Sequence, residues 1–191
     1  MLSERQEQII SVSIGLIDRL GIQGFTIKNL SKEIGISEPA IYRHFDSKVE
    51  ILATILDGFK QSVMHYHANS DIGKSGSQEK IESFFAMIFN VFTENPTLIS
   101  VIFAEEIFRN EPALTQKVIE IQNSNEAYLT PLIQDLPLNE ALSNTPVEMI
   151  TMMFLGPVRL LTRKWKMNQY DFDLREQGNQ LIGTIIKTIT L

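Results

Sequence analysis

Glu38, Pro39, Ala40 and Arg43 are the side chains in this sequence whose types and spacing point most directly to chemistry. A guanidinium such as that of Arg43 can donate paired hydrogen bonds to O6 and N7 of guanine, and a carboxylate such as that of Glu38 can accept from N4 of cytosine. Pro39 and Ala40 offer apolar contact to a thymine methyl, and Lys28, further upstream, could reach a base edge or a phosphate. Glu38 has a second reading, as an acid that simply favours a helix N-terminus electrostatically. Covalent and metal chemistry find no comparable set. His65 and His67 are closely spaced, but side chains two positions apart leave a helix on different sides, and no third ligand stands near. No glycine-rich phosphate loop occurs, nor a nucleophile, histidine and acid in a recognisable context, and the chain has no cysteine. The expectation is a protein that is not an enzyme and uses no cofactor or metal.

Base reading requires such side chains to project from a narrow, rigid element, and residues 26–52, TIKNLSKEIGISEPAIYRHFDSKVEIL, supply one. Thr26 can cap a helix with Ile27, Leu30, Ser31 and Ile34 on its inner face. Gly35 stands where that helix must stop, because glycine takes a positive φ without a Cβ clash. Ile36 returns to the core, Ser37 or Glu38 opens a second helix, and Pro39 falls in its first turn, where the missing N–H costs nothing. This second helix runs for about two turns, with Ile41 and Phe45 inward. Ser47-Lys48-Val49-Glu50 is a capping box for a third helix. Two short helices joined by a glycine turn, the second sized for a major groove, make a helix-turn-helix. Upstream, Ser3 and Gln6 form another capping box. Ile9, Val12, Ser13, Leu16 and Leu20 give the first helix one apolar face to brace the pair, and Gly21 is expected to end it.

Helical patterning continues to the last residues. A helix over residues 48–68 carries Val49, Leu52, Ile55, Leu56 and Phe59 and connects the two halves. Residues 69–78, rich in Ser, Gly and Asp, mark the boundary. The predicted organisation is a DNA-binding domain over 1–50, that connector, and a second domain over 69–191. In the second domain, Ile81, Phe84, Phe85, Ile88, Phe89 and Phe92 form a helical stripe, and residues 98–108 are apolar almost all round until Glu105. Asn110 and Pro112 open a helix with Leu114, Val118, Ile121, Tyr128 and Leu132 inward, bent or ended at Pro131. Thr145 and Glu148 form a capping box with Pro146 at the first helical position, and Gly156-Pro157 is a kink site. Asp173 caps a last helix bearing Leu181, Ile182, Ile185, Ile186 and Ile189. No strand pattern survives, so the fold class is all-α with about nine helices.

Composition sets the outer bounds. A chain of 191 residues, 43% apolar with a mean hydropathy of −0.01, is an ordinary globular protein of one large or two small domains. No apolar run reaches the roughly 18 residues of a membrane span, and MLSERQEQII does not read as a signal peptide. With cysteine absent as well, a cytoplasmic location is expected. The net charge is −6. Residues 1–60 hold seven basic against eight acidic side chains, and residues 61–191 hold ten against fifteen. This is not the basic domain that DNA binding usually brings. Phosphates must therefore be gripped locally by well-placed cations and helix N-termini, and non-specific binding should be weak.

Thr26, Gly35-Ile36-Ser37, Ile41-Tyr42, His44-Phe45 and Lys48 fall as they do in the N-terminal DNA-binding domain of TetR/AcrR-family transcriptional regulators, which residues 5–55 closely resemble. Asn29 departs from the family at a position for an acidic residue, and Ser31 at one where alanine is usual. The resemblance implies that Thr26, Ser37, Tyr42, His44 and Lys48 contact DNA phosphates. Tyr42 and His44 have an alternative as buried hydrogen-bonding residues.

The remainder resembles the family in length, helicity and order. The resemblance implies a C-terminal helical bundle for ligand binding and dimerisation. Six of the eleven phenylalanines lie between Phe84 and Phe108, and three methionines sit close together. Phe84, Phe85, Ile88, Phe92, Phe103, Ile107, Phe108, Met149, Met152 and Met153 would line an effector pocket for an apolar or amphipathic molecule. Gln122, Asn125, Tyr128 and Arg159, with Glu105, would orient the ligand. The alternative is that these side chains simply pack as core. Leu155, Val158, Leu161 and Thr162, with Gly178, Leu181, Ile185 and Ile189, suit a four-helix interface between two copies. The expected function is a ligand-responsive homodimeric repressor on a palindromic operator in double-stranded DNA. The alternative is a constitutive DNA-binding protein whose second domain only dimerises or docks a protein partner.

Overall fold

Side chains of Ser3, Thr26, Ser47 and Asp173 cap helix starts, and Gly35 in the left-handed region ends a helix. The computed structural model describes residues 2–69, 76–104, 108 and 111–191. Among these are the α-helices α1 Glu4–Gly24, α2 Ile27–Ile34, α3 Glu38–Tyr42, α4 Lys48–Asn69, α5 Ser77–Glu94, α6 Ile99–Ile102, α7 Pro112–Gln134, α8 Val147–Met167 and α9 Leu174–Ile189. A single antiparallel bridge, Leu138 to Thr190, is the β pairing among the described residues, so the chain is all-α as its patterning predicts. No single helix among the described residues is long and apolar enough to cross a membrane.

The chain divides into two compact units. One comprises Met1–Gln61 with Thr97–Ile121, the other Ser62–Pro96 with Gln122–Leu191. The sequence pattern places residues 97–121 wholly in the second domain. They join the first because α6 packs along α1 and side chains bond across. Ser100 Oγ donates to Asp18 Oδ1 at 2.7 Å, Lys117 Nζ pairs with Asp57 at 2.6 Å, and Lys60 Nζ pairs with Glu120 at 2.9 Å. The Lys60 hydrogen bond and charge hold the Glu120 carboxyl below its ordinary range.

In the first unit, Ile9, Leu16 and Ile17 of α1 pack with Phe25, Leu30, Ile41, Phe45, Ile51 and Leu56 in the core. Gly21 interrupts α1 at the position where the sequence places its end. With φ at 69° it breaks the helix, which resumes to Gly24. In the second unit, α9 packs on α5 and α8. Phe85 stacks on Phe154 at 5.8 Å, and Phe84 meets Phe85 at 5.0 Å and Tyr128 at 5.3 Å.

Three expectations shift here. Pro131 lies inside α7, so of its two readings, bending or ending the helix, the second falls away. Pro146 takes the N-cap position of α8, with no side-chain cap bond, so the Thr145 capping box does not form. The inward stripe of α7 runs Leu114, Val118, Ile121, Leu129 and Ile133, leaving Tyr128 and Leu132 half-buried.

Gly178 of α9 lies so close to Phe89 of α5 that an added Cβ would fall 2.4 Å from the ring. Gly178→Ala should therefore destabilise the protein by about 1–3 kcal/mol, read as a lower urea midpoint. The turn after α8 closes with Tyr170 N–H donating to Trp165 O at 2.9 Å, and it places Gln169 and Tyr170 at φ 56° and 65°. Neither side chain favours that region, so Gln169→Gly should raise stability by about 0.5–1 kcal/mol in the same assay.

Candidate nucleic-acid interface

The base-reading candidates sit on α3 and on the helix that supports it. Thr26 has extended backbone and its Oγ accepts from Asn29 N at 3.1 Å, capping α2. Asn29, at the family's acidic position, instead turns its amide back to donate to Gly24 O at 2.9 Å. That bond ties the start of α2 to the end of α1. Ser31 is buried, and its hydroxyl donates to Lys28 O at 2.9 Å, so the departure from alanine leaves no polar group unpaired. At the other end of α2, Gly35 adopts φ 79° and ψ 31°. Its N–H donates to Lys32 O at 3.3 Å, and that of Ile36 to Ser31 O at 3.0 Å, which is a Schellman closure.

This closure aims α3. Ile41 and Phe45 are buried beneath it, while Glu38, Pro39 and Arg43 are exposed and Ala40 is half-buried. Arg43, at the C-cap of α3, has no ion pair among the described residues, so its guanidinium is available to a base edge. Glu38 stands in the first turn of α3, where both of its readings remain physically sound. Lys28 is exposed on α2. So is Lys32, one turn further on the same side, a cation that its spacing of four from Lys28 could have revealed.

The phosphate candidates divide. Thr26, Ser37 and Tyr42 are exposed, and Tyr42 at 49% is not the core residue its alternative reading required. Ser37 forms no cap bond to α3, so its hydroxyl is not consumed there. His44 is half-buried. Lys48 is the exception: its ammonium donates to Ile22 O at 3.0 Å and lies 5.4 Å from the Phe25 ring centroid. Burial lowers its pKa, partly opposed by the charge of Glu111. Lys48 thus fastens the start of α4 to the end of α1, and only its remaining N–H groups could serve a phosphate. The capping box at the start of α4 is also rearranged. Ser47 Oγ accepts from Glu50 N at 3.1 Å, whereas the Glu50 carboxylate takes the N–H of Asp46.

The pocket candidates fall in both units. Phe84, Phe85, Ile88 and Phe92 are buried in the second unit, whereas Phe103 and the buried Phe108 belong to the first. Ile107 and Glu105 lie outside the described residues. Gln122 is exposed, and Asn125, Tyr128 and Arg159 are half-buried. Asn125 falls in the inward stripe of α7, and its Oδ1 is buried with no hydrogen-bond partner among the described residues. Met149, Met152 and Met153 correct the expectation. They lie on the outside of α8, Met152 at 63% exposure, because Ile150, Phe154, Val158 and Trp165 occupy its inner face.

That same rotation corrects half of the dimer set. Val158, Thr162, Gly178 and Ile189 are buried within the protomer, while Leu155, Leu161, Leu181 and Ile185 are half-buried and remain open to a partner. Outward on α8, Met149, Met152, Leu160 and Met167 form an exposed apolar stripe, with Leu160 at 68%.

Residues 9–55 match the family described as bacterial regulatory proteins, tetR family. A nucleoid occlusion factor, SlmA of Glaesserella parasuis serovar 5, is 25% identical over 140 residues, which covers 73% of this chain and 69% of that protein. Among solved structures, the transcriptional regulator FadR of Bacillus subtilis, crystallised with stearoyl-CoA, superposes with a TM-score of 0.79 at 19% identity, over 96% of this chain and 98% of its own. The ketosteroid transcriptional regulator KstR2 of Mycobacterium tuberculosis gives 0.84 at 13% identity, over 100% and 97%. At these identities the structures establish a shared fold.

Two substitutions separate reading from fastening. Arg43→Ala should cost about 1–3 kcal/mol of specific affinity and relax selectivity at one base position, with the melting temperature unchanged. Lys48→Ala should lower affinity for all sequences alike and also lose about 1–2 kcal/mol of stability, because Ile22 O forfeits its donor. Competition binding on a set of single-base operator variants, alongside thermal melts, reads both.

Proposed function

We propose that this chain, which belongs to the TetR family of bacterial regulatory proteins, works as a homodimeric, ligand-responsive transcriptional repressor. The observation that carries the reading is the outward face of α3, where Glu38, Pro39 and Arg43 stand exposed above a buried Ile41 and Phe45. One such helix reads too few bases for selectivity. A two-fold pair reads half-sites one duplex turn, about 34–36 Å, apart, so the operator is palindromic and the protein a dimer. The exposed apolar stripe of α8, with Leu155, Leu161, Leu181 and Ile185 beside it, offers a self-complementary surface for the second copy. Thr26, Ser37, Tyr42 and His44 hold the phosphates, Lys28 takes a phosphate or base edge, and the protein acts in the cytoplasm.

The effector is an apolar or amphipathic small molecule bound within the second unit. Support comes from the phenylalanine-rich interior of that unit and from Asn125 Oδ1 and Thr162 Oγ, both buried without hydrogen-bond partners among the described residues. A bound polar head group would satisfy such atoms. Release from DNA requires the ligand to favour the spacing of the two α3 helices that does not fit the operator. Equal affinity for both states shifts nothing. The second reading, a constitutive DNA-binding protein whose second unit only dimerises, is favoured by the close self-packing of Phe84, Phe85, Phe154 and Tyr128.

Fluorescence anisotropy with a selected palindromic duplex, titrated with stearoyl-CoA as the first probe and then a panel of apolar acids and sterols, distinguishes them. The repressor reading expects one compound that raises the melting temperature and weakens DNA binding at least about tenfold, or 1.4 kcal/mol of coupling. Compounds that bind and leave DNA affinity unchanged contradict the switch.

A further inference from the structure

Gln6 lies near the start of α1, outside every set of DNA-contacting residues described above, yet it bonds in two directions. Its Oε1 accepts from Ser3 N at 3.0 Å and Ser3 Oγ at 3.2 Å, completing the capping box of α1. Its Nε2 donates to the carbonyl of His44 at 3.2 Å. His44 follows directly on Arg43, so this bond holds the backbone at the exit of α3, next to the guanidinium that reads. The amide orientation is fixed by its partners, since Ser3 N–H requires an acceptor and His44 O requires a donor. A capping box is served equally well by glutamate or glutamine at this position. Only glutamine also supplies the donor that His44 O takes.

We infer that Gln6 is a positioning residue for DNA reading, in which its side-chain amide clamps the end of α3 to the start of α1 and so sets where Arg43 points. The inference rests on the regulator reading above. A five-residue helix has little internal rigidity, so its exit carbonyl is free to swing unless something outside the helix holds it. Gln6 acts from the start of α1, whereas Lys48 holds the start of α4 to Ile22 near the end of α1. The two bonds bracket residues 44–48, the segment through which α3 hands over to α4.

Gln6→Glu in the full chain tests this, because it keeps the cap acceptor and removes the donor. With a duplex enriched by the wild-type protein from a random pool, the ratio of its affinity to that of a scrambled duplex should fall about two- to tenfold, the worth of one hydrogen bond. The melting temperature should fall by no more than the worth of the one bond that His44 O loses, and by less than in Gln6→Ala. The added negative charge weakens both duplexes alike and cancels in the ratio. Gln6→Ala, which loses cap and donor together, should show the same fall in ratio with a lower melting temperature. In the free protein, hydrogen exchange at residues 43–46 should quicken in Gln6→Glu, while exchange in the rest of α1 is unchanged. An unaltered ratio or unaltered exchange in Gln6→Glu overturns the inference. Failure of the wild-type protein to enrich any duplex would instead overturn the regulator reading, and the exchange measurement then decides the clamp alone.

Discussion

Helix α3 spans five residues, too few for its own hydrogen bonds to offset the entropy of fixing their backbone. Its existence and its direction are therefore imposed from outside. Gly35 in the left-handed region ends α2 and turns the chain, and Ile41 and Phe45 anchor α3 from below. Because the inward positions are taken by these apolar side chains, Glu38, Pro39 and Arg43 are left facing solvent. Substituting Gly35 would place a Cβ in a backbone conformation that L-residues avoid, so the constraint is conformational and does not depend on space around the residue.

Much of this was legible in the sequence because caps and turns are local chemistry. Ser3 with Gln6, Thr26, Gly35 and Asp173 each act within four residues, and each does what its type and position predict. What was not legible depended on distance. Ser100 bonds Asp18 across 82 positions, and no periodicity announces that residues 97–121 belong with the first unit. Helix α8 is apolar on more than one side, so its pattern could not say whether Met152 or Phe154 faces inward, and the methionines were placed on the wrong face. Asn125 lies in register with Ile121 and Leu129 on the buried side of α7, a position where pattern reading favours a hydrocarbon. The family resemblance makes Lys48 a phosphate ligand, while its ammonium is engaged by Ile22 O, a backbone atom that sequence does not display.

The charge of the chain fits this division of labour. With a net charge of −6, the protein cannot rely on general attraction to the phosphate backbone. Affinity must come from a few side chains held in fixed positions, which gives unusual weight to the bonds that hold them: Asn29 to Gly24, Lys48 to Ile22 and Gln6 to His44. These are single hydrogen bonds, each worth a modest amount in stability.

The central claim is that two symmetric copies of α3 read one duplex. It is tested most directly by selecting bound DNA from a random pool at low salt and examining the symmetry of what is retained. The account predicts an inverted repeat whose half-sites are centred about one helical turn apart, each containing a guanine that selection fixes. Retention of no duplex, or of a single site without two-fold symmetry, would contradict it.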